Sequence, residues 1–284
     1  MATLKQIRQR IKSAKNIQQI TRAMKLVAVA RLTKAKNKAE QARAYFEKMR
    51  EFVGSIGGAG DLPDNPLLIR RPVKKTVLVL ITAERGMCGG FNGNLVRRAG
   101  DFISGQDSEM SLVCVGKKGR QFFQKRGFTV LQSITVPTSG PTVDIANELS
   151  DIVTELFVSG EADAIHICYS KFHSPIRQEP LVVQVLPIEP PEGDEAAGGE
   201  ATFEPDAHTL LDLLLPKYLL TTIYQALLES NASEHGARMT AMTSATDNAA
   251  NMITDLTMVA NRARQAGITT QILEIVGGAE ALKQ

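Results

Sequence analysis

The sequence predicts an α/β domain, Rossmann-like in its alternation, joined to a long antiparallel coiled coil made by the N- and C-terminal helices. Three observations predict it. No proline or glycine occurs from Met1 to Val53. Heptad-spaced apolar positions fill both ends of the chain. Between them, short β-branched runs alternate with helical patterns.

The N-terminal helix, residues 1–56, comes first. At 1.5 Å per residue it would measure about 80 Å, whereas a compact chain of 284 residues has a radius of gyration of roughly 19 Å. A continuous helix must therefore reach beyond a globular body. Ala28, Leu32, Ala35, Ala39, Ala42, Phe46, Met49 and Val53 alternate steps of four and three, which is a seam for a partner helix. Leu4, Ile7, Ile11 and Ala14 form a second run. Ile17, Ile20, Met24 and Val27 form a third with a shifted phase, and each slip is expected to alter the supercoil locally.

A linker, 57–73, leads to the central domain, 74–206. Strands are expected at "TVLVLIT" (76–82), "SLVCVG" (111–116), "FTVLQSITV", "ADAIHICYS" and "PLVVQVLPI". Helices are expected at 92–104, 117–126 and 142–158. This alternation implies a largely parallel sheet. Residues 189–206 carry seven acids and no base and read as an exposed acidic loop.

The C-terminal segment is 207–284, and its helical pattern runs from Lys217 to Val276. Met242, Ala245, Ala249, Met252, Leu256, Val259, Ala263 and Ala266 repeat the three-four spacing. Alanine-rich seams allow two helices to approach closely.

Charge and composition narrow the function. The net charge is +3, but residues 1–50 hold fourteen Lys or Arg against Glu40 and Glu47, so that segment is +12 and the rest is −9. Such asymmetry marks a surface that meets something acidic. No apolar stretch approaches the roughly 18 residues of a transmembrane helix. Residues 1–39 lack acids, as an organellar presequence does, yet Ser13 is their only serine and the helical pattern runs on past them. The three cysteines form no CxxC pair and the four histidines show no ligand spacing, so neither a disulfide framework nor a metal centre is expected.

The stretch "ERGMCGGFN" (84–92) follows a strand and precedes a helix, where α/β proteins hold ligands. Its glycines, Gly86, Gly89, Gly90 and Gly93, do not match the dinucleotide or P-loop fingerprints. Cys88 has no histidine near it in sequence. A tight turn that uses glycine for its backbone angles is the expected role. Glu204 and Asp206 lie in the acidic loop with no apolar pocket to tune them. No catalytic residue and no cofactor is expected.

The motifs "IRQRIKSAKNIQQITRAMKLVAVARL", "ITAERGMCGGFN", "ASEHGARMTAMTSATDNA" and "NRARQAGITTQILEIVGGAEAL" resemble the gamma subunit of F-type ATP synthase, and the likeness covers nearly the whole chain. It implies a non-catalytic, torque-transmitting central shaft whose tip sits in an alpha3beta3 hexamer and whose foot, with epsilon, stands on the membrane c-ring. By the same resemblance Arg264, Gln265 and Thr269, with Met24, Lys25 and Arg238, are expected to meet alpha and beta subunits. Tyr45, Phe203 and Glu204 are expected near the c-ring and epsilon. The location implied is the cytoplasmic face of a bacterial plasma membrane, with membrane association only through the c-ring. Gln271 stands where the family usually has an acid, and the cysteine-bearing insert of chloroplast relatives is absent. From Met239 to Ala260 only Asp247 and Asp255 are charged, which suits a shaft that must not lock into one ion-pair register. Two rival readings are a nucleic-acid-binding coiled coil and a small α/β enzyme using the glycine loop. The first is disfavoured because the cations overlap the heptads instead of forking beyond them.

Overall fold

The computed structural model describes residues 3–57, 65–189 and 207–281. The chain divides into two compact units, one of residues 1–27 with 239–284 and the other of residues 28–238.

Helix α1 spans Leu4–Gly57 and α5 spans Ala207–Ala281. In the first unit α1 opens with a reciprocal cap: the Gln6 amide donates to Thr3 Oγ1, and the Thr3 amide donates to Gln6 Oε1 at 2.9 Å. Two orphan donors are thereby satisfied. The seam here runs Leu4, Ile7, Ile11, Ala14, Gln18, Thr21, all buried or half-buried. The expected phase slip does not occur. Ile17 and Ile20 are 52% and 59% exposed and Val27 is also exposed, while polar Gln18 and Thr21 keep the three-four spacing. On α5 the inward positions are Met242, Thr246, Ala249, Ile253, Leu256, Ala260 and Ala263. Met252 and Val259, expected in the seam, are exposed, and at those two levels the next residue, Ile253 or Ala260, turns inward instead, while Met242, Ala249, Leu256 and Ala263 are inward as expected.

The hydroxyls of Thr21 and Thr246 meet at 2.9 Å and fix the antiparallel register. Counted outward from that contact, Leu4 and Ala263 are equally far away. Every residue from Arg264 to Gly278 is exposed, because α1 has no turn left to cover them.

The second unit contains the sheet. A 3-10 turn, Pro66–Leu68, precedes β1 (Lys75–Ile81), α2 (Phe91–Ser104), β2 (Glu109–Val115), α3 (Lys117–Gln124), β3 (Val130–Ile134), α4 (Val143–Val158), β4 (Ala164–Phe172) and β5 (Gln178–Leu186). Strand order is β3-β2-β1-β4-β5. The first four are parallel, and β5 closes the edge antiparallel to β4. Six of the seven β1 residues are buried, as in a strand covered on both faces. Val77, Val79 and Ile81 point to the face carrying α4 and the start of α5, with Leu149, Val153, Leu215, Leu219 and Ile223. Leu78 and Leu80 point to the opposite face, with Leu95, Phe123 and Cys168. This is the two-residue period of a pleated strand.

Helix α5 begins ten residues before the expected Lys217 and runs through Pro216. An interior proline costs about 3 kcal/mol. Leu211, Leu215, Leu219 and Ile223 are at most 2% exposed, and burying each contributes about 1.5–3 kcal/mol, so packing outweighs the break. Leu67, within the expected linker, is buried in the core, and its carbonyl accepts from the Ile188 amide at 2.9 Å.

Candidate functional site

In a sheet of this topology a ligand would bind beyond the carboxyl ends of the strands, beside the switch between β1 and β4. Helix α5 occupies that place. Ala237 packs with Leu78, Leu80, Cys88 and Cys168. A Cβ added to Gly236 would lie 3.2 Å from the Phe172 ring and 3.3 Å from Pro175, so helix and sheet meet as closely as glycine permits. Arg238 donates to the Gly86 carbonyl at 3.4 Å, to His235 Nδ1 at 3.1 Å and to Glu234 at 2.7 Å. The expected partner-contact residue Arg238 is thus held within this unit, its side chain only 12% exposed.

The glycine stretch is a strand-to-helix turn. Met87 and Gly89 adopt φ of 61° and 55°. Gly90 caps α2 at its N-terminus. Asn92 locks the turn: its Oδ1 accepts from the Ala83 amide at 3.0 Å and its Nδ2 donates to Cys88 Sγ at 3.1 Å. Cys88 is buried, and burial pushes its thiol above the ordinary value, with Arg238 opposing. A nucleophile needs the reverse shift. Burial raises Cys114 to about 11 and Cys168 to about 12. Among the described residues no group of His, Cys, Asp or Glu could hold a metal ion.

What α5 builds instead is a joint. Glu229, nearly buried, accepts from Arg43 Nε at 3.1 Å and also from its Nη2, and from Gln225 Nε2 at 2.9 Å. Its other oxygen accepts from the Phe172 amide at 2.9 Å. One turn further, Ser233 donates to the Ser170 carbonyl at 3.0 Å. Gln225, Glu229 and Ser233 are spaced four apart and form one face, so a single carboxylate ties α1, α5 and the end of β4 together. The sequence gives no sign of this, because a glutamate between leucines and serines on a long helix looks like any solvated residue.

In the first unit Arg264, Gln265 and Thr269 are exposed. Thr269 Oγ1 donates back to the Gln265 carbonyl at 3.0 Å, so these two lie one turn apart on the same face. Met24 and Lys25 are half-buried at the edge of the seam. Apolar side chains are open on this unit: Ile17, Ile20, Leu26 and Val27 on α1, and on α5 Met252, Met258 and Val259, then Ile268, Ile272, Leu273, Ile275 and Val276. Helix faces of that kind mark interaction surfaces. In the second unit Tyr45 is 58% exposed. Phe203 and Glu204 lie outside the described residues.

A family model described as ATP synthase matches residues 3–282. The ATP synthase gamma chain of Pelotomaculum thermopropionicum is 46% identical over 284 residues, covering the whole of both chains. That of Brevibacillus brevis is 44% identical over 282 residues, covering 98% of each. The chain belongs to the ATP synthase gamma-chain family. Among solved structures, a chain of the Euglena gracilis mitochondrial ATP synthase (OSCP/F1/c-ring, rotational state 3) superposes with a TM-score of 0.74 at 20% identity, covering 98% of this chain and 94% of that one. A chain from the rotor of the same organism's enzyme gives 0.70 at 17% identity, covering 93% and 98%. The fold is therefore kept at low identity. Neither the nucleic-acid reading nor the small-enzyme reading gains support from these relatives. No described helix is long and apolar enough to cross a membrane.

Proposed function

We propose that this chain is the rotor shaft of an ATP synthase. It carries torque between a membrane c-ring and the catalytic sites of beta subunits, and it performs no bond chemistry itself. The observation that carries this reading is the helix pair of the first unit. Past Ala263 its α5 presents Ile268, Ile272, Ile275 and Val276 to the outside, with Arg264, Gln265 and Thr269 just before and among them. An exposed apolar helix surface of that extent marks a site of contact with other subunits. An alpha3beta3 hexamer supplies those subunits in this reading. Arg264 and Gln265 would contact a beta loop, and Met24, Lys25 and Thr269 the surrounding alpha and beta surfaces. Tyr45, Phe203 and Glu204 would belong to the foot, with epsilon and the c-ring. Arg238 would act from within, by holding α5 to the glycine turn.

Torque requires that the helix pair not slide on the sheet. The Arg43–Glu229–Phe172 joint supplies that resistance, since turning α5 would break several charge-assisted bonds at once. The asymmetry of the two helices would force each beta site through different conformations in turn. We place the chain at the cytoplasmic face of a bacterial plasma membrane, attached through the c-ring. The test is reconstitution. The purified chain mixed with alpha and beta subunits should co-elute as one particle and stimulate ATP hydrolysis. A chain that stays separate at low ionic strength would end this reading.

A further inference from the structure

A shallow cleft lies in the second unit between α1, the β3–α4 loop and α5. Its α1 wall is cationic: Arg31, Lys34 and Lys38 all line it, at a helical spacing that puts them on neighbouring turns. Among the described residues Lys34 and Lys38 have no ion-pair partner, and Arg31 feels the Glu234 carboxylate without a close ion pair. The acids closest along the two helices are already engaged, Glu40 with Lys36 and Glu234 with Arg238. We propose that this cleft binds a single phosphate-class oxyanion.

The opposite walls supply hydrogen-bond donors. Thr138 and Ser139 bring hydroxyls on the loop, and Asn231 brings an amide from α5. Gly140 has φ of +100°, and a Cβ there would stand 3.5 Å from Asn231 Oδ1, so the loop turns tightly against α5. His235 completes the wall. Its Nδ1 meets the Arg238 guanidinium at 3.1 Å, and guanidinium can only donate. Burial and the flanking arginines hold the imidazole neutral, lowering it to about 4. A neutral ring whose Nδ1 accepts must carry its proton on Nε2, so it offers the cleft a donor.

Positive charge, hydroxyls and a fixed N–H without a free carboxylate match a tetrahedral anion with several acceptor oxygens. The apolar floor of Leu228 and Ala35 lowers the local dielectric and strengthens each charge contact. A flat acidic protein surface would use the exposed lysines but would not reach half-buried Asn231 or buried His235.

The test is titration of the full-length chain with inorganic phosphate at constant ionic strength, read by calorimetry and by phosphorus NMR. Saturable one-to-one binding is expected, competed by sulfate and indifferent to added chloride. Arg31→Gln with Lys34→Gln should weaken it at least tenfold, and Ser139→Ala several-fold. Lys36→Gln, which removes a cation outside the cleft, should leave it within twofold, with circular dichroism confirming that each variant is folded. Tripolyphosphate and ATP should bind alike, because only the phosphate is read. Absence of saturable binding overturns the proposal, as does equal weakening by Lys36→Gln, which would mean diffuse charge. Binding of a polyglutamate peptide but not phosphate overturns it in favour of a protein-docking face. ATP binding much tighter than tripolyphosphate overturns the single-oxyanion assignment.

Discussion

Arg43 and Glu229 stand 186 positions apart in the chain and form one ion pair at the meeting of α1, α5 and β4. The Glu229 side chain is 4% exposed and that of Arg43 39%, so the carboxylate is the desolvated partner and the guanidinium keeps access to water. Removing the carboxylate strands the Phe172 amide, whereas removing Arg43 strands a buried charge.

Glu229→Ala should therefore destabilise the chain by about 2–3 kcal/mol, the range for buried hydrogen bonds to a charged group. Glu229→Gln should cost about 1 kcal/mol. Urea unfolding followed by circular dichroism measures both. In a reconstituted complex the alanine variant should lower proton pumping per ATP hydrolysed more than it lowers hydrolysis. An unchanged ratio would mean that the joint carries no torque.

The Thr21–Thr246 contact puts two hydroxyls in a seam that is mostly apolar apart from Gln18. Replacing both with valine keeps the shape and removes both polar groups, which is neutral or stabilising. The double variant should melt at the same temperature as the parent or a few degrees higher. Its register should loosen, because a polar seam position specifies alignment. Cysteines placed at Gln18 and Ala249 should then cross-link less selectively over shifted partners.

His235 makes stability depend on pH. Burial first, then Arg238 and Arg31, lower it from 6.5 to about 4. The unfolded chain therefore takes up the proton more readily than the folded one. The contribution is present in full above pH 6.5 and declines as pH falls toward 4, by about 2–4 kcal/mol at one pKa unit per 1.4 kcal/mol. Glu234, raised chiefly by burial, acts in the opposite sense, favouring the folded state at low pH. Comparing parent and His235→Gln by urea unfolding from pH 7.5 to 4.5 isolates the histidine: the gap between them should narrow steadily as the buffer is acidified.

Ile17→Gln with Ile20→Gln should leave the isolated chain within about 0.5 kcal/mol of the parent, as for surface changes that break no contact. Assembly with alpha and beta subunits should weaken at least tenfold, measured by co-elution at decreasing concentration. A large loss of stability would instead put these residues in the core.

Arg264→Ala with Gln265→Ala should likewise spare folding, since both side chains are exposed. Hydrolysis stimulated by the chain, or coupling to proton movement, should fall several-fold in the reconstituted enzyme. Unchanged rates would remove both residues from the contact surface.

Much of the architecture is legible in the residues, and the errors have physical causes. The strands announce themselves because β-branched runs in a doubly covered sheet are nearly all apolar. Between Ala14 and Ala28 the apolar pattern points to the wrong face, because apolarity there does not mark the inside. Here the inside holds Gln18 and Thr21, and isoleucine is on the outside. The one-residue error at Met252 and Val259 has the same root, since their neighbours Ile253 and Ala260 are equally apolar. Pro216 reads as a boundary because its local penalty is visible and the compensating leucines act only in the tertiary fold. The proposed contact residues come from family likeness alone: no spacing rule singles out Arg264 or Gln265 among exposed polar residues. Glu229 was not legible at all, because its partners come from positions 43 and 172.

The inward positions of the first unit include Ala14, Ala249, Ala260 and Ala263. Methyl groups there let the two axes draw near the short end of the roughly 8–10 Å that packed helices adopt. Thickness at those levels is consequently set by small side chains. Enlarging any one of these alanines to leucine would thicken the rod at that level while leaving its outer face untouched. Such a change would act as a calliper on whatever bore surrounds it, registering as a jam and not as a lost contact.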